Sequence, residues 1–258
     1  MAENKNSISA EGLSIGFGSQ PLVNRLSFQL NAGELCAIVG ANGIGKSTLL
    51  RTLAKLQPKL AGEIYLHEKK MHSLTPNDLA KTLSVVLTEP IASKNLTVQE
   101  LIALGRQPYT NWLGNISRND KDVILQSLHT FELHDIRHKK CHELSDGQLQ
   151  RVLIARAMAQ DTSIILLDEP TTHLDLHHKV YILKLLQQLA HEYQKTILFT
   201  THEIGLAIQL CDKMLVLDGK ENPFNDPCQL IEEGHFERLF PKEMVQFDPK
   251  TGGFKINK

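Results

Sequence analysis

Apolar positions along the chain change their spacing twice, and the changes mark three stretches of different structure. In the first, Leu26, Phe28 and Leu30 alternate with Ser27 and Gln29, a period of two that predicts a strand with one buried face. Asn31-Ala32-Gly33 supplies a turn. Leu35 to Val39 then forms a continuous apolar run, as expected of a strand covered on both faces. Ser47 to Leu56 has helical texture, and Gly62 to Leu66 and Ser84 to Leu87 read as further strands. From about Leu96 the spacing becomes helical. Thr97 and Glu100 stand at capping-box distance ahead of an apolar stretch. Val123, Leu125, Leu128 and Phe131 give Asn119 to Phe131 a helical face, and Leu149 to Ala159 is a further helix. In the third stretch, strands at Ser163 to Leu167, Thr196 to Thr200 and Lys213 to Leu217 alternate with helices from about Leu176 to Glu192 and Ile204 to Cys211. This order predicts an α/β fold with a mostly parallel sheet and a helical arm inserted between about Glu89 and Gln160. After Gly219 four prolines break the pattern, and Gly234 to Glu237 with Phe247-Asp248 is expected to form an added strand pair, a dimer contact or a packing appendage.

Composition narrows the partners. Apolar residues are 41% and charged residues 22%, ordinary for a folded chain, and a formal net charge of −1 gives no support for a nucleic-acid partner. Cys36, Cys141, Cys211 and Cys228 show no metal-ligand or C-x-x-C spacing, so free thiols in a reducing compartment are expected. Met1 to Glu11 is polar, which predicts no secretory signal, and no apolar run approaches the roughly 18–20 residues of a spanning helix. Any membrane role must therefore come through a partner.

Two segments carry phosphate chemistry. Gly40-Ala41-Asn42-Gly43-Ile44-Gly45-Lys46-Ser47 fits the phosphate-loop pattern and sits between an apolar strand and a helix. Glycines let the loop curl so that its N–H groups, with the helix N-terminus, face phosphate oxygens. Lys46 is placed to neutralise the β- and γ-phosphates, and the Ser47 hydroxyl to ligate Mg²⁺. Ile164 to Leu167 is an apolar strand ending in Asp168-Glu169, where α/β sheets bind ligands. Asp168 is expected to hold Mg²⁺ through water and Glu169 to polarise the attacking water.

Three more segments follow in order: Leu144-Ser145-Asp146-Gly147-Gln148 opening a helix, Leu174-Asp175, and Thr201-His202-Glu203 closing an apolar strand. With these the chain resembles the ABC ATPases over about Ile8 to Leu217. The resemblance implies a single domain, 1–258: a P-loop NTPase core (about 1–88 and 161–218) with an N-terminal antiparallel β subdomain, an α-helical subdomain (about 89–160) and an appendage (about 219–258). It implies a homodimer that encloses two ATP molecules with Mg²⁺. Ser145, Gly147 and Gln148 of one copy would meet the γ-phosphate held by Gly40, Asn42, Gly43, Gly45, Lys46, Ser47 and Thr48 of the other. His202 corresponds to the switch histidine and Phe17 to the aromatic that stacks on adenine; by themselves these two also read as a buried histidine and a core Phe. Three positions depart from the family pattern. Asp146 replaces a glycine, and Glu89 replaces the glutamine that approaches Mg²⁺. Phe17 stands for the commoner tyrosine.

Gly105-Arg106-Gln107-Pro108 and Asp168 to Asp175 resemble the ATPases of iron–siderophore, haem and cobalamin importers. That implies transmembrane permease subunits meeting Pro90 to Asn95, a periplasmic or surface substrate-binding protein acting indirectly, and a peripheral place on the cytoplasmic face of the plasma membrane. The alternatives are an importer ATPase for another cargo, a cofactor-assembly ABC ATPase, a nucleotide-gated regulator and a small-molecule kinase. The kinase reading lacks a role for Ser145 to Gln148.

Overall fold

A computed structural model of the chain describes residues 6–89, 91, 93–239, 245–248 and 252–256. In chain order the elements are β1 (Asn6–Phe17), β2 (Gln20–Asn31), β3 (Leu35–Gly40), α1 (Lys46–Leu53), β4 (Ala61–Leu66), β5 (Lys69–Lys70), α2 (Pro76–Thr82) and β6 (Leu83–Val86). The arm holds α3 (Val98–Ala103), α4 (Arg118–Thr130) and α5 (Asp146–Ala159). Then come β7 (Ile164–Leu167), α6 (Leu176–Tyr193), β8 (Thr196–Thr200), α7 (Ile204–Leu210), β9 (Lys213–Leu217), β10 (Phe224–Asn225), α8 (Pro227–Glu232), β11 (Val245–Asp248) and β12 (Gly253–Ile256).

The strands β10-β9-β3-β8-β7-β6 make one sheet, parallel except for β10, and β2-β1-β4-β5 make an antiparallel sheet. The apolar runs divide by the period of two. Leu35, Ala37, Val39, Ile165 and Leu167 join the cluster that holds the arm and α6, while Cys36, Ile38, Ile164 and Leu166 join the cluster beneath α1 and the antiparallel sheet. A strand sandwiched in this way shows no polar alternation, which is why its sequence reads as a continuous run.

Helix starts follow local chemistry. The box predicted at Thr97 is present, with Thr97 Oγ1 accepting from Glu100 N–H and the Glu100 carboxylate accepting from Thr97 N–H. Ser117 with Asp120 opens α4 in the same way. Strands β8 and β9 keep the predicted limits, and β6 and β7 lie within one residue of theirs. Sequence periodicity missed β5, α2, β10 and α8, which are too short to show a period.

The tail differs from expectation. Gly234 to Glu237 is not a strand, and β11 pairs instead with β12. Phe247 of this hairpin lies 5.2 Å from Phe236 and 5.1 Å from Phe254, ring centre to ring centre, and joins the main core. The packing appendage is therefore the reading these contacts support.

Candidate functional site

Strand order builds the site. β3 and β7 flank β8, so the segments leaving the C-terminal ends of three adjacent parallel strands meet at one edge. These segments carry Lys46, Asp168-Glu169 and His202 respectively. Phe17, Leu22, Asn42, Gly43, Gly45, Lys46, Ser47, Thr48, Glu169 and His202 line a cleft of about 230 Å³ there.

The phosphate loop needs glycine for two separate reasons. Gly45 precedes α1 with φ 114, and Gly43 has φ 76, the left-handed region that side chains resist. At Gly40 space decides as well, because a Cβ would lie 2.5 Å from the Leu217 carbonyl oxygen. Lys46 Nζ donates to the carbonyl oxygens of Gly40, at 2.9 Å, and Ala41, at 3.0 Å, and so lies along the inside of the loop. Burial pushes the Lys46 pKa down from its ordinary value, against the opposing charges of Glu169 and Asp168.

Asp168 is 3% exposed, and hydroxyl groups take the place of solvent. Ser47 Oγ donates to its Oδ1 at 2.9 Å and Thr200 Oγ1 at 2.7 Å. A buried carboxylate with hydroxyl neighbours and, among the described residues, no cationic hydrogen-bond partner is a donor set of hard oxygens, suited to Mg²⁺. Ser47 and Asp168 are thus adjacent.

Glu169 adopts φ 47, which costs a non-glycine residue about 1–3 kcal/mol and turns the chain sharply after β7. Its N–H donates to Thr200 Oγ1 at 2.8 Å. Thr172 Oγ1 reaches one carboxylate oxygen at 2.9 Å and His202 Nε2 the other at 2.9 Å. Burial raises the Glu169 pKa, but the Thr172 and His202 hydrogen bonds and the nearby positive charge outweigh it and leave the group below the ordinary glutamate value. A carboxylate fixed at both oxygens and kept ionised is suited to orient and polarise a water. The hydroxyls of Thr200 and Thr172 escaped the sequence reading. Their only sequence signal is a position at a strand end or one turn after an acidic pair.

Two side chains exclude their bland alternatives. Phe17 closes β1 at the lip of the cleft and is 63% exposed, so it is not a core residue. His202 is half-exposed and bonded to Glu169, so it is not a buried structural histidine.

The remaining predicted residues lie apart. Ser145 caps α5, its Oγ accepting from Gln148 N–H at 3.3 Å while Gln148 Oε1 accepts from Ser145 N–H at 3.2 Å. Gly147 faces α6, where a Cβ would lie 2.9 Å from His178 Cδ2. None of residues 145–148 lines the phosphate-loop cleft. Asp146 starts α5 with no positive φ, so the glycine it replaces is not needed for backbone freedom. An acid in the first turn suits the helix dipole. Asp146 does share a second cleft of about 390 Å³ with Glu89, Asp168 and Glu169, so negative charge collects there. Glu89 turns to Arg51 of α1, Nη2 to Oε1 2.6 Å, and has no hydrogen bond to Ser47 or Asp168. The expected coupling segment includes Pro90 and Ala92, which fall outside the described residues.

Arg106, in the Gly-Arg-x-Pro segment, has a structural role. It is 3% exposed, its Nε donates to Asp120 Oδ1 at 2.8 Å and its Nη1 to the Ala159 carbonyl at 2.7 Å. Its guanidinium carbon lies 3.9 Å from the centre of the Tyr109 ring. Gly105 is required beside it, since a Cβ would lie 2.3 Å from the Arg156 carbonyl oxygen.

A sheet of this order with a phosphate loop, an acidic strand end and a histidine just past the next strand defines an ATP-hydrolysing P-loop domain. Residues 23–172 match the ABC transporter family model, and the chain belongs to that family as an ATP-binding, ATP-hydrolysing subunit. It is 38% identical over 250 residues to an uncharacterised ABC transporter ATP-binding protein of Methanocaldococcus jannaschii, covering 96% of this chain and 83% of the relative. It is 36% identical to a probable siderophore transport system ATP-binding protein of Bacillus subtilis, covering 93% and 85%. A solved inward-facing ABC transporter assigned to the metal-chelate type superposes with a TM-score of 0.80 at 29% identity, covering 91% of this chain and 89% of that one.

Proposed function

We propose that this chain powers an importer of iron chelates of the siderophore type. What carries the cargo reading is similarity over nearly the whole chain to the siderophore relative, together with the metal-chelate transporter. An iron(3+)-hydroxamate import ATP-binding protein of Bacillus subtilis, 38% identical over 212 residues, points the same way. No helix among the described residues is long and apolar enough to cross a membrane, so the path for cargo belongs to permease subunits. Exposed Leu104, Tyr109, Trp112, Leu113, Ile116 and Leu125 all lie on the arm, an apolar surface that suits such a partner.

The working unit is a head-to-tail homodimer at the cytoplasmic face of the membrane. Asn42, Gly43, Gly45, Lys46, Ser47 and Thr48 hold the triphosphate, and Phe17 stacks on the adenine. Ser47 and Asp168 hold Mg²⁺, which neutralises phosphate charge when bound; Glu89, paired to Arg51, does not share in that site unless the pair opens. Glu169 orients the attacking water, and His202 keeps Glu169 in place and reaches the γ-phosphate. Ser145, Gly147 and Gln148 serve the partner copy's nucleotide, since they lie away from the cleft of their own chain. Residues 89–160 act as the partner-contacting subdomain of one ATPase domain.

Reconstitution with its permease tests the cargo. Uptake of ferric hydroxamate, haem and cobalamin is compared in proteoliposomes loaded with ATP. Iron chelate uptake above the other two is expected. Equal or greater cobalamin uptake would reject the siderophore reading, and ATP turnover that no permease couples to uptake would favour a non-transport ATPase.

A further inference from the structure

The geometry points to Lys179 as a positioning residue for hydrolysis, which sets His202 from outside the cleft by holding Glu203. Lys179 lies in the first turn of α6, and its backbone N–H donates to the Asp175 carbonyl at 2.9 Å. Its ammonium pairs with the Glu203 carboxylate. Glu203 follows His202 directly and immediately precedes α7.

Three observations separate this pair from an ordinary surface ion pair. First, it is partly enclosed, with side-chain exposures of 23% for Lys179 and 35% for Glu203, so water screens it less than an exposed pair. Second, Glu203 stands at the N-cap position of α7, where Asp, Asn, Ser or Thr would accept from the helix N–H groups and the longer Glu is not favoured. Glu203 makes no such cap bond, with φ −86 and ψ 64, and its carboxylate is turned to Lys179 instead. Third, the pair ties this turn to α6 through side chains, where the turn's own backbone is tied to α7: Ile204 N–H donates to the His202 carbonyl, and Leu206 and Ala207 N–H to the Glu203 carbonyl. Thr201 N–H donates to the Ile38 carbonyl, and Glu203 N–H to Thr201 Oγ1 within the turn. Outward from the turn, the His202 side chain reaches Glu169 and the Glu203 side chain reaches Lys179.

The consequence is a mechanical link. Asp175, in the segment that meets the partner copy in the proposed dimer, lies one helical turn from Lys179. Movement of that segment carries Lys179, hence Glu203, hence the neighbouring His202. Loss of the ammonium removes the side-chain tie from α6 to the residue after His202, and His202 holds Glu169 less firmly against the water. Binding of nucleotide by the phosphate loop is untouched. The inference rests on the roles proposed for Glu169 and His202.

Steady-state hydrolysis by the full chain with Mg²⁺-ATP tests it, using Lys179→Met, Lys179→Arg and Glu169→Gln in parallel. Misplacement of a reacting geometry by about 1 Å costs up to ~100-fold, so Lys179→Met is expected to lower kcat by roughly 10- to 100-fold with KM for ATP unchanged. Lys179→Arg restores most of kcat, which a lost packing contact would not require. Should the Met variant fail to fold, Glu203→Gln gives the same reading. Full kcat in Lys179→Met overturns the inference, as does a parallel loss of kcat and ATP affinity that Arg does not repair. Glu169→Gln separates the two levels. If it hydrolyses ATP at the parent rate, the proposed roles of Glu169 and His202 fail. If it is inactive while Lys179→Met is fully active, only the role of Lys179 fails.

Discussion

Replacing Arg106 with Met keeps a long side chain but removes the guanidinium from three contacts inside the arm. Asp120 loses its cationic partner at 2.8 Å, the Ala159 carbonyl loses a donor at 2.7 Å, and Tyr109 loses the group over its ring. Both charged residues are about 3% exposed, so water cannot replace what is lost. Removing one member of a buried pair costs about 3–5 kcal/mol, because the other charge stays buried. For a chain of this size each kcal/mol shifts the melting midpoint by about 2–4 °C, which gives a fall of roughly 6–20 °C. Asp120→Asn in the Met background removes the stranded charge and recovers a large part of the loss. Some deficit remains, since the Ala159 carbonyl still lacks its donor and Asp120 also closes the cap at Ser117.

Thermal and urea unfolding of wild type, both single variants and the double variant form the cycle. The pH dependence follows from Asp120. Its hydrogen bond from Ser117 and then its contacts with Arg106 hold its pKa below the ordinary aspartate value, although burial opposes them. The folded carboxylate therefore binds a proton less readily than the unfolded one. The stabilisation is fully present above the unfolded pKa of about 3.9 and is lost as pH falls through the lower folded value. In Arg106→Met the same burial acts without the guanidinium to offset it, so Asp120 takes up a proton at higher pH than in wild type, and the gap between the two proteins should be widest near neutral pH and narrow as pH falls into the acid range. A loss under about 1 kcal/mol at neutral pH, or no rescue in the double variant, would refute a buried structural pair.

Further outcomes follow from other contacts. Gly147→Ala sets a methyl 2.9 Å from Cδ2 of His178, whose half-exposed ring can turn aside, so urea unfolding should show a change within about 1 kcal/mol of the parent, and a larger loss would show that the ring is held in place. Glu89→Gln breaks an exposed pair with Arg51, so turnover should stay within about fivefold of the parent, the equivalent of the roughly 1 kcal/mol ceiling for such pairs. A larger loss in phosphate-release assays would show that the carboxylate leaves Arg51 to act at the metal. Lys46→Ala should weaken nucleotide binding in calorimetry and abolish turnover.

The parallel sheet and its catalytic edge were legible in the chain because buried strands are long apolar runs and each ends in chemistry-bearing residues. Leu35 to Val39 leads into the phosphate loop, and Ile164 to Leu167 leads into Asp168. What the sequence concealed was directional. Nothing in the spacing says that Glu89 turns to Arg51, because a side chain's partner across the fold depends on tertiary placement. The same holds for the Thr200 hydroxyl, which serves both Asp168 and Glu169 from a neighbouring strand. Arg106 was read as a family mark, and its burial against Asp120 is visible only once α4 and α5 are packed. The C-terminal hairpin was half legible: Phe247-Asp248 is in a strand, but its partner follows it in sequence instead of preceding it.

The claim that the rest depends on is that Ser145 of one copy completes the nucleotide site of another. Analytical ultracentrifugation of the Glu169→Gln protein with and without Mg²⁺-ATP tests it most directly, repeated with Ser145→Arg added. The account predicts that ATP doubles the sedimenting mass of the Glu169→Gln protein and that the added Ser145→Arg keeps it at the mass of one chain. A single-chain mass at saturating ATP, or a dimer indifferent to Ser145→Arg, would contradict it.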